Sequence, residues 1–242
     1  MKSVFAFLCT AAILAASAAA SAETVKTDLD IKAPDGLNLR GSYFSPGKPG
    51  PAILLLHQCN MERHAWDGLA KDLADAGIHV LTVDFRTFGE SGGGKVSFRE
   101  LLDTIIPQNF PGDVDAAYAF LLAQKGVDKS RIAAGGASCG VTESSNLAAR
   151  RPEIKTLLVL SGISSDAANA YIAKTNGLAI FGAAAEGDTQ AASGIKAELA
   201  ASKNPKSVLK MYDGSEHGVP MFAKNPELEP MIVSWLKGQL KP

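Results

Sequence analysis

Residues 131–140 read Arg-Ile-Ala-Ala-Gly-Gly-Ala-Ser-Cys-Gly and connect an apolar stretch to a stretch with helical character. Gly136 and Gly140 lie two positions before and after Ser138, which gives the pattern G-x-S-x-G. A serine nucleophile sits on a sharp turn between a strand and a helix, and glycines are needed there because the two backbones come too close for side chains. The pattern therefore predicts a nucleophile elbow at Ser138, and the alternative is an ordinary glycine-rich turn.

Apolar runs alternate with helical periodicity along most of the chain. Residues 51–56 are a continuous apolar run, typical of a strand buried on both faces, and Trp66, Leu69 and Leu73 follow at helical spacing. Right-handed crossovers place the helices of such a chain on both faces of a mostly parallel sheet. We expect one α/β domain with eight strands, of which the first two form an antiparallel hairpin. The predicted strands cover residues 25–31, 37–43, 51–56, 78–83, 131–135, 156–160, 178–181 and 208–212.

The first 22 residues have the order of a cleaved secretory signal. Lys2 precedes an apolar run over residues 4–14, and small residues follow it up to Ala22. The apolar run is too short to span a bilayer, so we expect no membrane span in the mature chain. The sequence predicts a signal peptide over residues 1–22, a single domain over residues 23–242, and a secreted or periplasmic protein.

Charge and cysteine content narrow the classes of partner and compartment. Without Lys2 the chain has 23 basic residues (24 less one) and 25 acidic ones, so neither nucleic acid nor an anionic membrane is an expected partner. A small molecule is expected instead, and the oligomeric state is left open. Cys9 leaves with the signal, so Cys59 and Cys139 remain, either as a disulfide or as two free thiols.

A serine hydroxyl needs a base, and the chain has four histidines. His217 lies in a loop after a predicted strand, with a glycine on either side, where it can reach over the elbow. His57 ends a buried strand, and we expect a different task for it. His64, at a helix start, and His79, within a strand, are expected to be a surface and a packing residue. The pattern favours His217 as the general base.

Two carboxylates follow the strand predicted over residues 178–181, and either one is able to orient a histidine. We expect Asp188 to be the acid, with Glu186 as the alternative. Asp188 also suits the N-cap of the helix that begins near Thr189, and this role is compatible with catalysis.

The order Ser138, Asp188, His217 is the serine-acid-histidine order of α/β-hydrolases. Over nearly all of its mature length the chain resembles the small, lidless members of that superfamily, of the dienelactone-hydrolase-like or carboxylesterase type. His57-Gln58-Cys59-Asn60 stands where relatives have a His-Gly pair that opens the oxyanion loop. Residues 84–91, Asp-Phe-Arg-Thr-Phe-Gly-Glu-Ser, match a further family run, with Thr87 in place of a glycine. Arg86 in this run is interpreted as a loop brace.

The resemblance implies an α/β-hydrolase fold and a serine hydrolase that cleaves carboxylic esters of small or accessible acyl substrates through an acyl-enzyme, with no metal or organic cofactor. It implies Ser138 as nucleophile, His217 as base and Asp188 as acid. The oxyanion hole takes one backbone N–H from Cys139 and one from Gln58 or Cys59. Stretches 92–111 and 162–176 are interpreted as loops that form the pocket walls.

Three alternatives remain at this point. The same residues suit a lactone, thioester or peptide-bond hydrolase, since the pocket sets the leaving group. A non-catalytic, hydrolase-like binding protein is the alternative of a different class. The third alternative is a cysteine hydrolase with Cys139 as the nucleophile. Dienelactone hydrolases use a cysteine in Gly-x-Cys-x-Gly, but Cys139 is flanked at those positions by Ala137 and Val141.

The resemblance brings the two oxyanion segments together, which favours a Cys59–Cys139 bridge.

Overall fold

The computed structural model describes residues 23–242, so the predicted signal peptide lies outside the described residues. The described chain forms one sheet of eight strands in the order β1-β2-β4-β3-β5-β6-β7-β8. β2 pairs antiparallel with β1 and β4, and every other neighbouring pair is parallel. The predicted fold class is confirmed. The strands are β1 (Val25–Lys32), β2 (Asn38–Ser45), β3 (Gly50–Leu56), β4 (His79–Val83), β5 (Val127–Ala137), β6 (Thr156–Leu160), β7 (Ala179–Ala185) and β8 (Val208–Tyr212).

The helices pack on both faces of this sheet. α1 and α9 contribute to one apolar cluster, and α4, α5, α6 and α7 contribute to the other. No helix of residues 23–242 is long and apolar enough to cross a membrane. The helices are α1 (Asp67–Asp75), α2 (Phe98–Glu100), α3 (Ile106–Gln108), α4 (Phe110–Ala123), α5 (Cys139–Arg150), α6 (Asp166–Lys174), α7 (Thr189–Ala201), α8 (Met221–Lys224) and α9 (Leu228–Gln239), with a 3₁₀ turn at Arg63–Trp66 and a π turn at Leu101–Ile105.

The apolar run of β3 shows why this sheet is buried on both faces. Successive side chains of a strand point to opposite faces. Accordingly, Leu54 and Leu56 belong to one apolar cluster, while Ile53 and Leu55 belong to the other. All four are fully buried. A strand between two layers of helices needs apolar residues at every position, which is the pattern found in the sequence.

The structure corrects the prediction that stretches 92–111 and 162–176 are loops. Residues 98–108 form consecutive helical turns, and α6 occupies most of the second stretch. α6 begins after Ser165, whose hydroxyl accepts a hydrogen bond from the backbone N–H of Ala168 at 3.1 Å. This N-cap signal is present in the sequence, but the helix is only nine residues long and has a weak apolar periodicity.

β7 extends further than its apolar run indicates, to Ala185 rather than Phe181. The added residues are Gly182 and three alanines, which are small enough to let α7 lie close to the strand. A Cβ atom added at Gly182 lies 2.4 Å from the side chain of Leu199 in α7. The extension places Glu186 and Asp188 just beyond the carboxyl end of the strand.

Candidate active site

Ser138 lies at the corner between β5 and α5 with φ 52° and ψ −117°. A positive φ is uncommon for a residue with a side chain, and it persists only where the surrounding structure enforces it. The flanking glycines meet that need. A Cβ atom added at Gly136 lies 2.2 Å from the carbonyl oxygen of Gly140, and one added at Gly140 lies 2.3 Å from that of Leu56. The corner therefore has the close backbone approach that the glycine pattern predicts.

His217 and Asp188 form a hydrogen-bonded pair, with 2.6 Å between the imidazole Nδ1 and the carboxylate Oδ2. Since the carboxylate accepts, Nδ1 carries a proton, and Nε2 of the neutral ring is left to act as a base. Asp188 occupies the N-cap position of α7, but its side chain makes no cap hydrogen bond. The Asp188 carboxylate therefore hydrogen-bonds to His217 and does not cap α7.

Glu186, the alternative acid, has a different partner. Its carboxylate forms an ion pair with Lys196 at 2.7 Å, and both side chains are about half exposed. Of the two acids that follow β7, the structure brings Asp188 to His217.

Ser138, Asp188 and His217 line one pocket of about 220 Å³. The pocket lies at the carboxyl edge of the sheet, where ligands bind in folds of this kind. It opens to solvent, since the side chain of His217 is 40% exposed. None of the described residues that line it is lysine or arginine. The other lining residues are Cys139, Thr142, Gly162, Ile163, Gln190 and Ala191. Of these, Cys139 was predicted as an oxyanion residue, and Gly162 and Ile163 belong to the predicted wall stretch 162–176.

His57 is fully buried and its two ring nitrogens are both engaged. Nδ1 donates to the carbonyl oxygen of Gln58 at 2.8 Å, and Nε2 accepts the backbone N–H of Phe85 at 3.0 Å. Burial lowers the pKa of His57 to about 4, so the ring is neutral and fixed in one tautomer. His57 thus holds the loop after β3 against the loop after β4 and is not available as a base.

The other two histidines lie away from the pocket-lining residues. His79 is buried, with its Nδ1 2.6 Å from the Tyr43 hydroxyl, as expected of a packing residue. His64 is part-exposed on the 3₁₀ turn, and its Nδ1 lies 3.1 Å from Asp67.

Cys59 and Cys139 form a disulfide, with 5.9 Å between their Cα atoms and a sequence separation of 80. The pairing that the resemblance favoured is present, and the alternative of two free thiols is wrong. A disulfide sulfur is not a thiolate, so Cys139 is not a nucleophile in this form of the protein. Gln58, Cys59 and Cys139, the three predicted oxyanion residues, are thereby brought together beside Ser138.

Residues 84–91 brace the loop after β4. The Asp84 carboxylate accepts hydrogen bonds from the backbone N–H groups of Arg63 at 2.7 Å and Glu90 at 2.9 Å. Arg86 donates to Asp113 through two nitrogens, both at 2.6 Å, in agreement with the predicted role as a loop brace. Thr87, which stands in place of a glycine in the run described above, has φ 73°, a backbone conformation that favours glycine.

A buried carboxyl group supports the pocket wall from behind. Glu198 of α7 accepts the Ser145 hydroxyl at 2.9 Å, and Ser145 in turn accepts the hydroxyl of Ser164 at 3.1 Å. Ser164 directly follows Ile163 of the pocket wall. Desolvation raises the pKa of Glu198 to about 7. Sequence reading did not identify this cluster, because a single glutamate within an amphipathic helix normally faces solvent.

Glu198→Gln is expected to remove part of the pH dependence of stability. A carboxyl group with a raised folded-state pKa favours folding at low pH, and the unfolding free energy falls as pH rises from about 4.5 to about 7. A pKa shift of this size changes the unfolding free energy by about 3 kcal/mol. Urea unfolding at pH 5 and pH 8 measures the loss. Because burial also raises the pKa of Glu143, the difference between wild type and variant isolates the contribution of Glu198.

The exposed Glu100 provides the matched control, since Glu100→Gln is expected to leave the pH dependence as in the wild type. Equal losses of stability between pH 5 and pH 8 in wild type and Glu198→Gln would contradict the assignment.

Comparison with known proteins identifies the family of the fold. Residues 51–209, more than half of the chain, match the family model described as alpha/beta hydrolase fold. An uncharacterised protein of Mycobacterium tuberculosis is 32% identical over 133 residues, which cover 54% of this chain but only 44% of that protein. The chain belongs to the α/β-hydrolase fold family.

Solved structures show the same fold at low sequence identity. An esterase of Pyrococcus furiosus is similar with a TM-score of 0.69 at 19% identity, over 90% of this chain and 94% of that one. A dienelactone hydrolase of Anabaena variabilis has a TM-score of 0.69 at 16% identity, over 90% of this chain and 100% of that one. The similarity extends over nearly the whole described domain.

Proposed function

We propose that the protein is a serine hydrolase that cleaves carboxylic esters of small, uncharged acyl groups. The observation that carries the proposal is the His217–Asp188 pair in the same pocket as the strained Ser138. In this mechanism the Ser138 hydroxyl attacks the ester carbonyl, and Nε2 of His217 takes its proton. Asp188 stabilises the resulting imidazolium, and the alcohol leaves with the proton from His217. Water then hydrolyses the acyl-enzyme by the same steps.

The backbone N–H of Cys139 is the proposed first oxyanion donor. Cys139 is the first residue of α5, and the N–H groups of the first helical turn have no partner within the helix. These N–H groups point out of the N-terminal end of the helix, where the helix dipole favours a negative charge. Gln58 or Cys59 supplies the second donor from the loop after β3, which the disulfide holds beside the elbow.

The pocket supports a small acyl group. Its volume is about 220 Å³, and no lysine or arginine among the described lining residues offers a partner for a charged substrate. The open mouth leaves the alcohol portion in solvent. Two proteins of similar structure, an esterase and a dienelactone hydrolase, agree with attack on an ester or lactone carbonyl.

A fluorophosphonate probe together with an acyl panel tests this proposal. The purified mature protein is expected to be labelled by the probe and to hydrolyse p-nitrophenyl acetate and butyrate at least about tenfold faster, in kcat/KM, than the octanoate ester. A lactone and a thioester in the same panel identify a different leaving-group preference. An unlabelled protein that hydrolyses none of these substrates would instead support the non-catalytic binding protein.

We also propose that residues 1–22 are removed and that the mature protein is secreted or periplasmic. The disulfide supports this proposal, because such bonds persist in oxidising compartments. Mass spectrometry of the protein recovered from the periplasm or medium is expected to show a chain that begins at Glu23, and a full-length cytosolic chain would refute it.

A further inference from the structure

The side chain of Gln58 connects the loop after β3 to the loop that carries His217. Its Oε1 accepts the backbone N–H of Val219 at 3.0 Å, and its Nε2 donates to the carbonyl oxygen of His217 at 3.3 Å. The partners lie 161 and 159 residues away in sequence. Gln58 is only 1% exposed, so these hydrogen bonds do not compete with bulk water. They hold the backbone on both sides of Gly218.

Gly218 makes this approach possible. Its φ is 70°, and a Cβ atom added there would lie 2.3 Å from Oε1 of Gln58. Any side chain at this position would therefore push the glutamine away. The Gln58 amide therefore packs directly against the backbone of Gly218, and this contact joins the loop after β3 to the loop that carries His217.

The next residue, Cys59, makes a second connection in the other direction. Its disulfide to Cys139 fixes the loop after β3 to the first residue of α5, directly beside Ser138. Two consecutive side chains therefore join three segments that are distant in sequence. These are the oxyanion loop after β3, the base loop that carries His217, and the nucleophile corner at Ser138.

We propose that Gln58 and Cys59 act as a clasp, a pair of positioning residues that keep His217 and the Cys139 N–H in register with the Ser138 hydroxyl. The inference rests on the proposed function, because register matters only if these groups act together on one carbonyl. A misplacement of about 1 Å in such a constellation costs about 10²-fold in rate. The clasp also makes activity sensitive to reduction of the disulfide.

Gln58→Leu tests the amide half of the clasp, since leucine fills a similar volume and makes none of the side-chain hydrogen bonds of Gln58, which include a donation from Nε2 to Oδ1 of Asn60 at 2.8 Å within the same loop. With p-nitrophenyl acetate, kcat is expected to fall by about 10²-fold while KM stays within about threefold. A fall in kcat of less than tenfold, or a matching change in KM, would overturn the proposal. Gln124→Leu is the matched control, because that glutamine donates to the Phe120 carbonyl within α4, away from the pocket-lining residues.

Gln58→Glu replaces the first variant if Gln58→Leu does not fold. The glutamate keeps an acceptor for the Val219 N–H and loses the donor to the His217 carbonyl. The same kcat and KM criteria apply to it.

Reduction by dithiothreitol tests the disulfide half. Two electrons and two protons pass from the dithiol to Cys59 and Cys139, the S–S bond breaks, and the reductant closes to its cyclic disulfide. The wild type is expected to lose at least tenfold in kcat and to recover on reoxidation. The double variant Cys59→Ser, Cys139→Ser is expected to start at the low value and to ignore the reductant. A reduced wild type that loses less than tenfold in kcat, with both thiols titrated, would refute this half.

Amide hydrogen exchange separates failure of the clasp from failure of the proposed function. The Val219 amide in Gln58→Leu is expected to exchange at least about tenfold faster than in the wild type or in Gln124→Leu. If the wild type hydrolyses no ester, the proposed function fails, while the exchange rate still tests whether Gln58 holds the loop that carries His217. Unchanged exchange at Val219 would overturn it.

Discussion

Ser138→Ala is expected to lower kcat for p-nitrophenyl acetate by about 10⁵- to 10⁶-fold. The alanine removes the hydroxyl that we propose forms the acyl-enzyme, and no thiolate is available to replace it, because Cys139 is held in the disulfide. The residual rate comes from the oxyanion donors and substrate binding, which act on water instead. Steady-state kinetics measure the loss, and fluorophosphonate labelling is expected to disappear.

Ser161 offers a closely matched control for this substitution. It follows β6, has φ 46° and is fully buried, so Ser161→Ala has a similar backbone cost to Ser138→Ala. Its hydroxyl faces the sulfur of Met221 at 3.7 Å and does not line the pocket. Ser161→Ala is expected to retain kcat within about threefold. Fluorophosphonate labelling that persists in Ser138→Ala would place the nucleophile elsewhere and refute the proposed role of Ser138.

The sheet was predictable because burial on both faces imposes a simple pattern. A strand between two helical layers is apolar at every position, and residues 51–56 and 156–160 have no other favourable environment. β7 shows the limit of that reasoning. Gly182 and the following alanines are apolar but small, and the sequence does not reveal that α7 packs closely enough to require small residues there.

The candidate site was predictable to the extent that it depends on strand ends. In a parallel sheet the residues that follow β5, β7 and β8 meet at one edge, so Ser138, Asp188 and His217 converge once the strands are known. The link between Gln58 and the base loop was not predictable, because it depends on a contact across about 160 residues and on a positive φ at Gly218. The unusual residue at position 58 was the only sign of it.

Asp188→Asn is expected to lower kcat by about 10⁴-fold with little change in KM or in stability. Asparagine fits the same space, but its side-chain NH₂ is able to donate to Nδ1 of His217. The ring proton then resides on Nε2, which no longer accepts the proton of the Ser138 hydroxyl. The variant also loses the negative charge that, in the proposed mechanism, stabilises the imidazolium during attack. Steady-state kinetics with p-nitrophenyl acetate measure both effects, and urea unfolding shows whether the fold is kept.

Glu186→Gln distinguishes the two acids, because both residues follow β7 and both substitutions replace a carboxylate by an amide. Glu186 pairs with Lys196 in solvent, so its loss is expected to change kcat by less than about twofold. The opposite result, a large loss in Glu186→Gln and a loss below tenfold in Asp188→Asn, would mean that the base loop reorganises around Glu186 during turnover. The Gln58 contacts on both sides of Gly218 oppose such a movement, since they hold the His217 backbone in the position where its Nδ1 meets Asp188.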